Sequence, residues 1–349
     1  MTPGGSGTAA LERARSLVGA LLAARAAPPP VLDAATVELA TDEGLAPCLG
    51  AKVAQGRVVV PAARREALAW EHQMCLASYV VRAHVAGIFA DRCRRSGVPL
   101  AWLKGMALVQ GIFAPGERSM VDVDVLVPAS RWDEACRIAA GLSGAREVRL
   151  QGRDYTAAHD YVRAFSVASG VTIEVHRFVC EASLFAIDYD GSDGLFSRAI
   201  PGVSGIWQLD EGDLFLTLAA HAAKHTFELP LRSYLDGVVL LQRGRLKLDA
   251  LDERAKQWGM QRAFQLWLGA LRCLQAPTLV RAGATNTGTS ALAALLWSRT
   301  RDASAWQRFL RLAWISDGPQ PWVRHVLTRV GLRLHDVVRA RRDRGRSAL

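Results

Sequence analysis

The hydrophobic and polar positions fall into three textures along the chain. Residues 8–26 carry apolar side chains at helical spacing and stop at Pro28-Pro29-Pro30, which cannot continue a helix. Residues 1–7, rich in Gly and Ser, are expected to be disordered. Residues 31–60 are mixed, with room for one or two short helices and an apolar Val58-Val59-Val60. Residues 62–96 predict one long helix with Leu68, Trp70, Met74, Cys75, Tyr79 and Val80 as apolar positions. Gly97, Val98 and Pro99 end it.

The second texture begins at residue 98. Val98 to Leu103 reads as a short buried strand, and Lys104-Gly105 opens a helix from Met106 to Phe113. After a turn at Pro115-Gly116, Met120 to Val127 alternates with period 2, as a strand does. Ala129 to Leu142 reads as a helix with Ser130 as N-cap and Asp133-Glu134 in its first turn. Val148 to Leu150 is a further short strand. Tyr161 to Ala168 and Val171 to Val179 predict a hairpin across Ser169-Gly170.

From about residue 210 the pattern is helical again. Asp210 or Asp213 can cap a helix through His225, and further helices fit 231–243, 249–258, 260–274, 289–299 and 303–315. Asp317-Gly-Pro-Gln-Pro321 breaks the pattern. The reading divides the chain into an N-terminal segment (1–30), an N-terminal helical region (31–97), an α+β core (98–200), a helical domain (201–316) and a basic tail (317–349). The 349 residues suit about two domains at roughly 150 residues each.

Composition changes little in this picture. Hydrophobic residues are 50% and charged residues 22%, which excludes disorder, collagen and coiled coil as overall descriptions. The net charge of +10 invites a polyanionic partner. Only five of the 43 basic residues are lysine, however, a bias in an Ala-rich chain that points to GC-rich coding. Arg324 to Leu349 holds eight arginines and two aspartates, so +6 of the charge belongs to the tail. A nucleic-acid partner is therefore not favoured. The six cysteines form no C-x-x-C pair and read as buried apolar residues of a reducing compartment. No apolar run reaches about 18 residues, and no basic n-region precedes the first apolar stretch. No membrane partner and a cytoplasmic location are expected.

The candidate chemistry sits in Met120-Val-Asp-Val-Asp-Val-Leu-Val127. In a strand, Met120, Asp122, Asp124 and Leu126 share one face, opposite Val121, Val123, Val125 and Val127. The two carboxylates lie about 7 Å apart and repel by about 2 kcal/mol at an effective dielectric of about 20. A divalent cation offsets that repulsion, and Mg²⁺ favours one or two carboxylates plus substrate phosphates. Glu174 in Thr172-Ile-Glu-Val-His-Arg177 offers a third carboxylate, on one face with His176. Gly105, at a helix start after a strand, would let a phosphate approach backbone N–H groups, with Lys104 beside it. Together these are the parts of a two-metal phosphoryl or nucleotidyl transfer site.

Leu103-Lys-Gly-Met-Ala-Leu108 and Gly116-Glu-Arg-Ser-Met-Val-Asp-Val-Asp-Val-Leu-Val127 resemble the nucleotidyltransferase superfamily of the DNA polymerase β type. The chain is more closely similar to an uncharacterised bacterial nucleotidyltransferase family. That family has an L-K-G…R-x-M-x-D-h-D-h-L pattern, an acidic-h-His strand (Glu174-Val-His176), an H-x-x-K-H helix (His221-Ala-Ala-Lys-His225) and an L-R-x-x-x-D element (Leu231-Arg-Ser-Tyr-Leu-Asp236). The resemblance covers roughly residues 98–240. It implies an α+β, polymerase β-like core, a mixed sheet with flanking helices, between N- and C-terminal helical regions. It implies a metal-dependent enzyme that moves a nucleoside monophosphate from an NTP, ATP being the first candidate, to an acceptor hydroxyl or phosphate.

The resemblance makes Asp122, Asp124 and Glu174 the catalytic, metal-binding residues for two Mg²⁺ ions, with Mn²⁺ as alternative: Asp122 and Asp124 bind the metals, and Glu174 is the third acid, bridging a metal or acting as general base on an acceptor hydroxyl. Gly105 marks the phosphate-binding helix. Two departures stand out: Gly105-Met106 replaces the superfamily's usual Gly-Ser or Gly-Gly, and the interval from Gly105 to Asp122 is longer. Lys104 can replace the missing hydroxyl, and Arg118 can bind phosphate or brace the aspartates. Lys224, with His221 and His225 on the same helix face, can contact nucleotide or acceptor. His176 is expected behind Glu174, and Asp236 with Arg232 as an ion pair or substrate contact. The alternatives are a non-catalytic nucleotide- or RNA-binding protein on the same fold, or a toxin-like transferase acting on tRNA or protein.

Overall fold

The computed structural model describes residues 4–23, 28–150, 153–154, 161–202, 206–275, 311–312, 315–318 and 323. Four helices lead: α1 (Gly4–Leu22), α2 (Ala34–Asp42), α3 (Ala46–Ala54) and α4 (Ala62–Arg95). The middle of the chain follows as β1 (Leu100–Trp102), α5 (Lys104–Val109), β2 (Asp122–Leu126), α6 (Trp132–Ala140), β3 (Arg146–Glu147), β4 (Arg149–Leu150), β5 (Arg153–Asp154), β6 (Val162–Ser166), β7 (Thr172–His176), α7 (Leu195–Arg198), β8 (Ile200–Pro201) and β9 (Ile206–Gln208). Four helices close the described part: α8 (Glu211–Lys224), α9 (Leu231–Gln242), α10 (Leu248–Gln257) and α11 (Gln261–Gln275).

Seven strands form one mixed sheet in the order β3-β6-β7-β2-β1-β9-β8, with β4 and β5 as a separate ribbon. The pairs β2–β7 and β1–β9 are parallel, and the others are antiparallel. The α+β expectation of a mixed sheet with flanking helices is what the chain adopts. The hairpin forms where the sequence places it, and Gly170 turns it at φ +78°, a conformation that suits glycine.

Several details differ from expectation. α1 starts at Gly4, inside the stretch read as disordered. The helix after Lys104 is six residues long and starts at Lys104 itself. Ser130 is not an N-cap: it lies in a 3₁₀ turn (Ala129–Arg131), and α6 follows without a side-chain cap. Seating on the sheet replaces the cap, because the indole of Trp132 donates to the Val175 carbonyl at 2.9 Å. The Val148–Leu150 strand is two pieces, β3 and β4. The helices expected at 289–299 and 303–315 and the Arg-rich tail lie almost wholly outside the described residues.

The long helix α4 spans its expected length, but its apolar positions divide. Leu68 and Cys75 are buried against α3 and the sheet layer, whereas Trp70 is 62% and Val80 57% exposed, and Met74 is exposed too. α4 is one described helix long and apolar enough, by length and composition alone, to cross a membrane. In this fold it packs on α3, α6 and β2.

The C-terminal helices join the same continuous hydrophobic core as the sheet. α11 packs on α1, α8, α9 and α10. The fully buried Trp267 lies 6.4 Å from Phe215 and 5.2 Å from Tyr234, ring to ring. α8 starts where the sequence says: Asp210 is its N-cap and accepts from the Asp213 N–H at 2.7 Å. That cap fixes the helix that carries His221 and Lys224.

Candidate functional site

The site lies on the face of the sheet that β2 and β7 share. Their parallel register sets Asp122 opposite Thr172, Asp124 opposite Glu174 and Leu126 opposite His176. Because side chains alternate, Asp122 and Asp124 emerge on the same side as Glu174 and His176. The alternating valines do the opposite work: Val123, Val125, Ile173 and Val175 are wholly buried beneath. Val121 departs from the expected alternation. It precedes the strand and is 70% exposed.

Asp124 is the centre of the arrangement. It is buried, and one of its oxygens, Oδ1, accepts from the Lys104 ammonium at 2.6 Å and meets His176 Nε2 at 3.0 Å. Glu174 Oε2 lies 3.3 Å from the same imidazole nitrogen. One ligand atom from each of Asp124, Glu174 and His176 falls within 4.8 Å of the others. His176 thus bridges the two carboxylates instead of standing behind Glu174 alone.

The charges follow from that geometry. Burial opposes ionisation of Asp124, but the Lys104 ammonium and His176 overcome it and hold the carboxyl well below the usual range. Glu174 is also lowered: burial opposes its ionisation, but the hydrogen bond and charge of His176, with Lys104, together overcome it. His176 is raised, since its bonds to Asp124 and Glu174 outweigh the burial that disfavours its cation. Asp122 goes the other way. Burial and the neighbouring Asp124 charge push it up to about 7. One strand therefore holds two carboxyl groups of opposite tendency, only one of which has a cationic partner at hand.

Lys104 reaches Asp124 from an unusual backbone. Its φ is +44°, in the left-handed region that a side chain disfavours by roughly 1–2 kcal/mol. The Leu103 N–H donates to the Asp124 carbonyl at 3.1 Å, locking the start of α5 onto β2. The strain is held by that bond and by the ion pair, and it aims the ammonium into the acidic face.

Gly105 serves a different purpose from the one expected. A β-carbon there would lie 2.5 Å from Met120 Cγ and 3.1 Å from Arg118 Nη1. The space above the glycine is filled by the segment that delivers Asp122, so the residue permits close packing instead of leaving an open phosphate cradle. Gly105→Ala is expected to cost about 1–3 kcal/mol by overpacking, read as a lower unfolding midpoint in urea with an unchanged slope.

Arg118 does not brace the aspartates. It forms a two-pronged pair with Asp236 of α9, Nε to Oδ1 at 3.1 Å and Nη2 to Oδ2 at 2.7 Å, and donates from Nη1 to the Ser119 carbonyl at 2.7 Å. Asp236 is 1% exposed. Its partner is thus Arg118 and not Arg232, which instead donates to the Ser119 hydroxyl at 2.8 Å. Both arginines hold the approach to β2.

The C-terminal end of α8 faces the same site. His221 and His225 stack edge to face at 4.6 Å between ring centroids. Burial and the nearby Lys104 charge hold His221 well below the ordinary imidazole range, so it is neutral. Lys224 sits over the Tyr161 ring at 5.0 Å, its ammonium disfavoured chiefly by burial. α8 ends in a turn with Thr226 at φ +51° and Phe227 at +60°, clamped by the Tyr234 hydroxyl donating to the Phe227 carbonyl at 2.7 Å. Among the described residues, the His221–His225 pair joins no metal-ligating cluster; that cluster is Asp124, Glu174 and His176.

Carboxyl groups gathered on one sheet face, with Lys104 and Lys224 reaching it from neighbouring elements, can hold a divalent cation and an anionic group side by side. The chain belongs to a family of uncharacterised nucleotidyltransferases, which it matches over residues 31–275. No curated protein matches it. It is also similar to a solution structure of the antibiotic-resistance factor ANT(2'')-Ia, at 13% identity and a TM-score of 0.38, over 56% of this chain and 96% of that one.

Proposed function

We propose that the protein is a metal-dependent nucleotidyltransferase of the polymerase β type that transfers a nucleoside monophosphate from an NTP to an acceptor hydroxyl or phosphate. The carrying observation is the alignment of Asp122, Asp124 and Glu174 on one sheet face, within a chain of nucleotidyltransferase family. The donor set fits a divalent cation such as Mg²⁺: Asp124, Glu174 and His176 offer ligand atoms within 4.8 Å of one another, and Asp122, pushed up to about 7 by burial and the Asp124 charge, lies on the same face. When bound, such ions stabilise the attacking and leaving oxygens of an in-line displacement.

The chain's own residues have distinct tasks in this reading. Lys104 neutralises Asp124 and turns to a donor phosphate when one is bound. Glu174 accepts the proton of the acceptor hydroxyl, its carboxylate kept ionised until then by the His176 Nε2–H at 3.3 Å. Lys224 approaches the triphosphate from α8. Pyrophosphate is the leaving group.

The test is release of pyrophosphate from each of four NTPs, with Mg²⁺ or Mn²⁺ and a panel of hydroxyl and phosphate acceptors. Wild-type turnover that vanishes in Asp122→Ala/Asp124→Ala supports the reading; identical backgrounds across the panel overturn it. Lys104→Met is expected to lower kcat/KM about 10²-fold, the loss typical of one electrostatic donor. The non-catalytic alternative predicts nucleotide or RNA binding that survives loss of both aspartates and weakens steeply with salt.

A further inference from the structure

One side of α4 carries an exposed apolar seam. Trp70, Met74, Val81 and Ile88 are each at least 40% exposed, and Ala77 and His84 between them are exposed too. The six stand at spacings of 4, 3, 4, 3 and 4, the period of a coiled coil, with Met74, Val81 and Ile88 at a and Trp70, Ala77 and His84 at d. From Gln73 to Ile88 the single charged residue is Arg82, and it donates to the Val121 carbonyl at 3.3 Å. Leu76 and Val80 on α4, with Val121 before β2, are exposed and extend the apolar surface.

We propose that this seam seats a second copy of the chain, α4 against α4 and antiparallel, across a two-fold axis level with Tyr79. A two-fold interface must be self-complementary. Antiparallel pairing sets each a position against a d position. Trp70 then meets the partner's Ile88, Met74 meets the partner's His84 and Ala77 meets the partner's Val81. The small Ala77 near the axis lets the two helices approach closely.

The charges at the ends decide the direction. Glu66 and Glu71 flank the N-terminal end of the seam, where Arg65 falls at f, off the seam, and Arg64 is paired with Glu38. Arg92, Arg94 and Arg95 crowd the C-terminal end, where Arg94 and Arg95 share the carboxylate of Asp91. Antiparallel pairing brings Glu66 to the partner's Arg94, g to g. Parallel pairing brings acid to acid and arginine to arginine instead. A membrane surface fits this rim less well. It asks for basic residues around the apolar face, and Glu66, Glu71 and Asp91 interrupt them. Area sets the strength. A helix strip about 27 Å long and about 10 Å wide falls short of the roughly 800 Å² per partner of a standard interface, so the pair is of the weak, micromolar class.

The test is sedimentation equilibrium of the full chain at about 1 to 100 μM, the range that brackets such an affinity, on wild type and three variants. Wild type is expected to rise with concentration from 37.8 kDa toward twice that mass. Val81→Glu, which symmetry places in the seam twice, should weaken association about 100-fold or more. Glu66→Arg should weaken it about fivefold, and Glu66→Arg/Arg94→Glu should restore it; parallel pairing predicts the reverse for Glu66→Arg. All three variants should keep the wild-type melting temperature at the lowest concentration, because the changed side chains are exposed. The proposal is overturned if wild type stays at monomer mass throughout, or if it dimerises and Val81→Glu does so equally well. A monomer whose melting temperature falls in Val81→Glu also overturns it, since part of the same chain then covers the seam. So does flotation of wild type, but not of Val81→Glu, with vesicles of phosphatidylserine and phosphatidylcholine while the free chain remains monomeric.

Discussion

Asp124→Asn is expected to lower nucleotidyl transfer by about 10³-fold or more, the several kcal/mol that a correctly held cation contributes to a transition state. It should also destabilise the fold. The carboxylate is 3% exposed and shares one oxygen between Lys104 and His176. An amide leaves a strained, half-enclosed ammonium without its counterion, a change that costs about 3–5 kcal/mol for buried pairs. Lys104 is 20% exposed, which puts the cost at the lower end, about 3 kcal/mol. At 2–4 °C per kcal/mol for a domain of this size, the melting temperature should fall by roughly 10 °C. The two effects separate in the double variant Lys104→Met/Asp124→Asn. Removing both partners should recover most of the stability and none of the activity. If stability and activity return together, Asp124 is a structural anion and the transferase reading fails.

The second large effect is expected at Asp236. Asp236→Ala strips both prongs from Arg118, whose side chain is 10% exposed, and leaves an arginine buried without a counterion. The expected cost is again about 3–5 kcal/mol, read from chemical denaturation. Arg118→Met/Asp236→Leu should come out near wild-type stability, since replacing both members of a buried pair by apolar residues is often neutral or stabilising. The double-mutant cycle then isolates the coupling. Activity should not recover in the same way. Arg118 also donates to the Ser119 carbonyl and packs over Gly105, so its removal loosens the segment that leads into Asp122. A double variant that is stable yet poorly active marks the pair as the positioner of β2.

Comparing pattern with structure shows where periodicity is informative. The hairpin of β6 and β7, the cap at Asp210 and the span of α4 were all legible, because each rests on a local rule of alternation, capping or helical spacing. Which of the apolar positions of α4 are buried was not legible: charged and apolar residues are spread over all its faces, so no stripe in the sequence says that Leu68 and Cys75 face inward while Trp70, Met74 and Val80 are exposed. Ser130 failed as a cap because the buried indole of the following Trp132 set the helix start.

The site shows the same division. The D-x-D and E-x-H spacings determine that Asp122 and Asp124 share a face, as do Glu174 and His176, since side chains in a strand alternate with period 2. Spacing within a strand says nothing about which strand lies beside it. Only the parallel register of β2 and β7 brings Asp124 against Glu174 and sets His176 between them. Only the left-handed backbone at Lys104 makes that lysine the counterion of Asp124, and only the seat of α9 gives Asp236 to Arg118, 118 residues away in the chain. The chemistry of these residues is a property of the sequence. Their partnership is a property of the tertiary structure, because charge pairing falls off within a few ångströms and only folding brings distant residues that close.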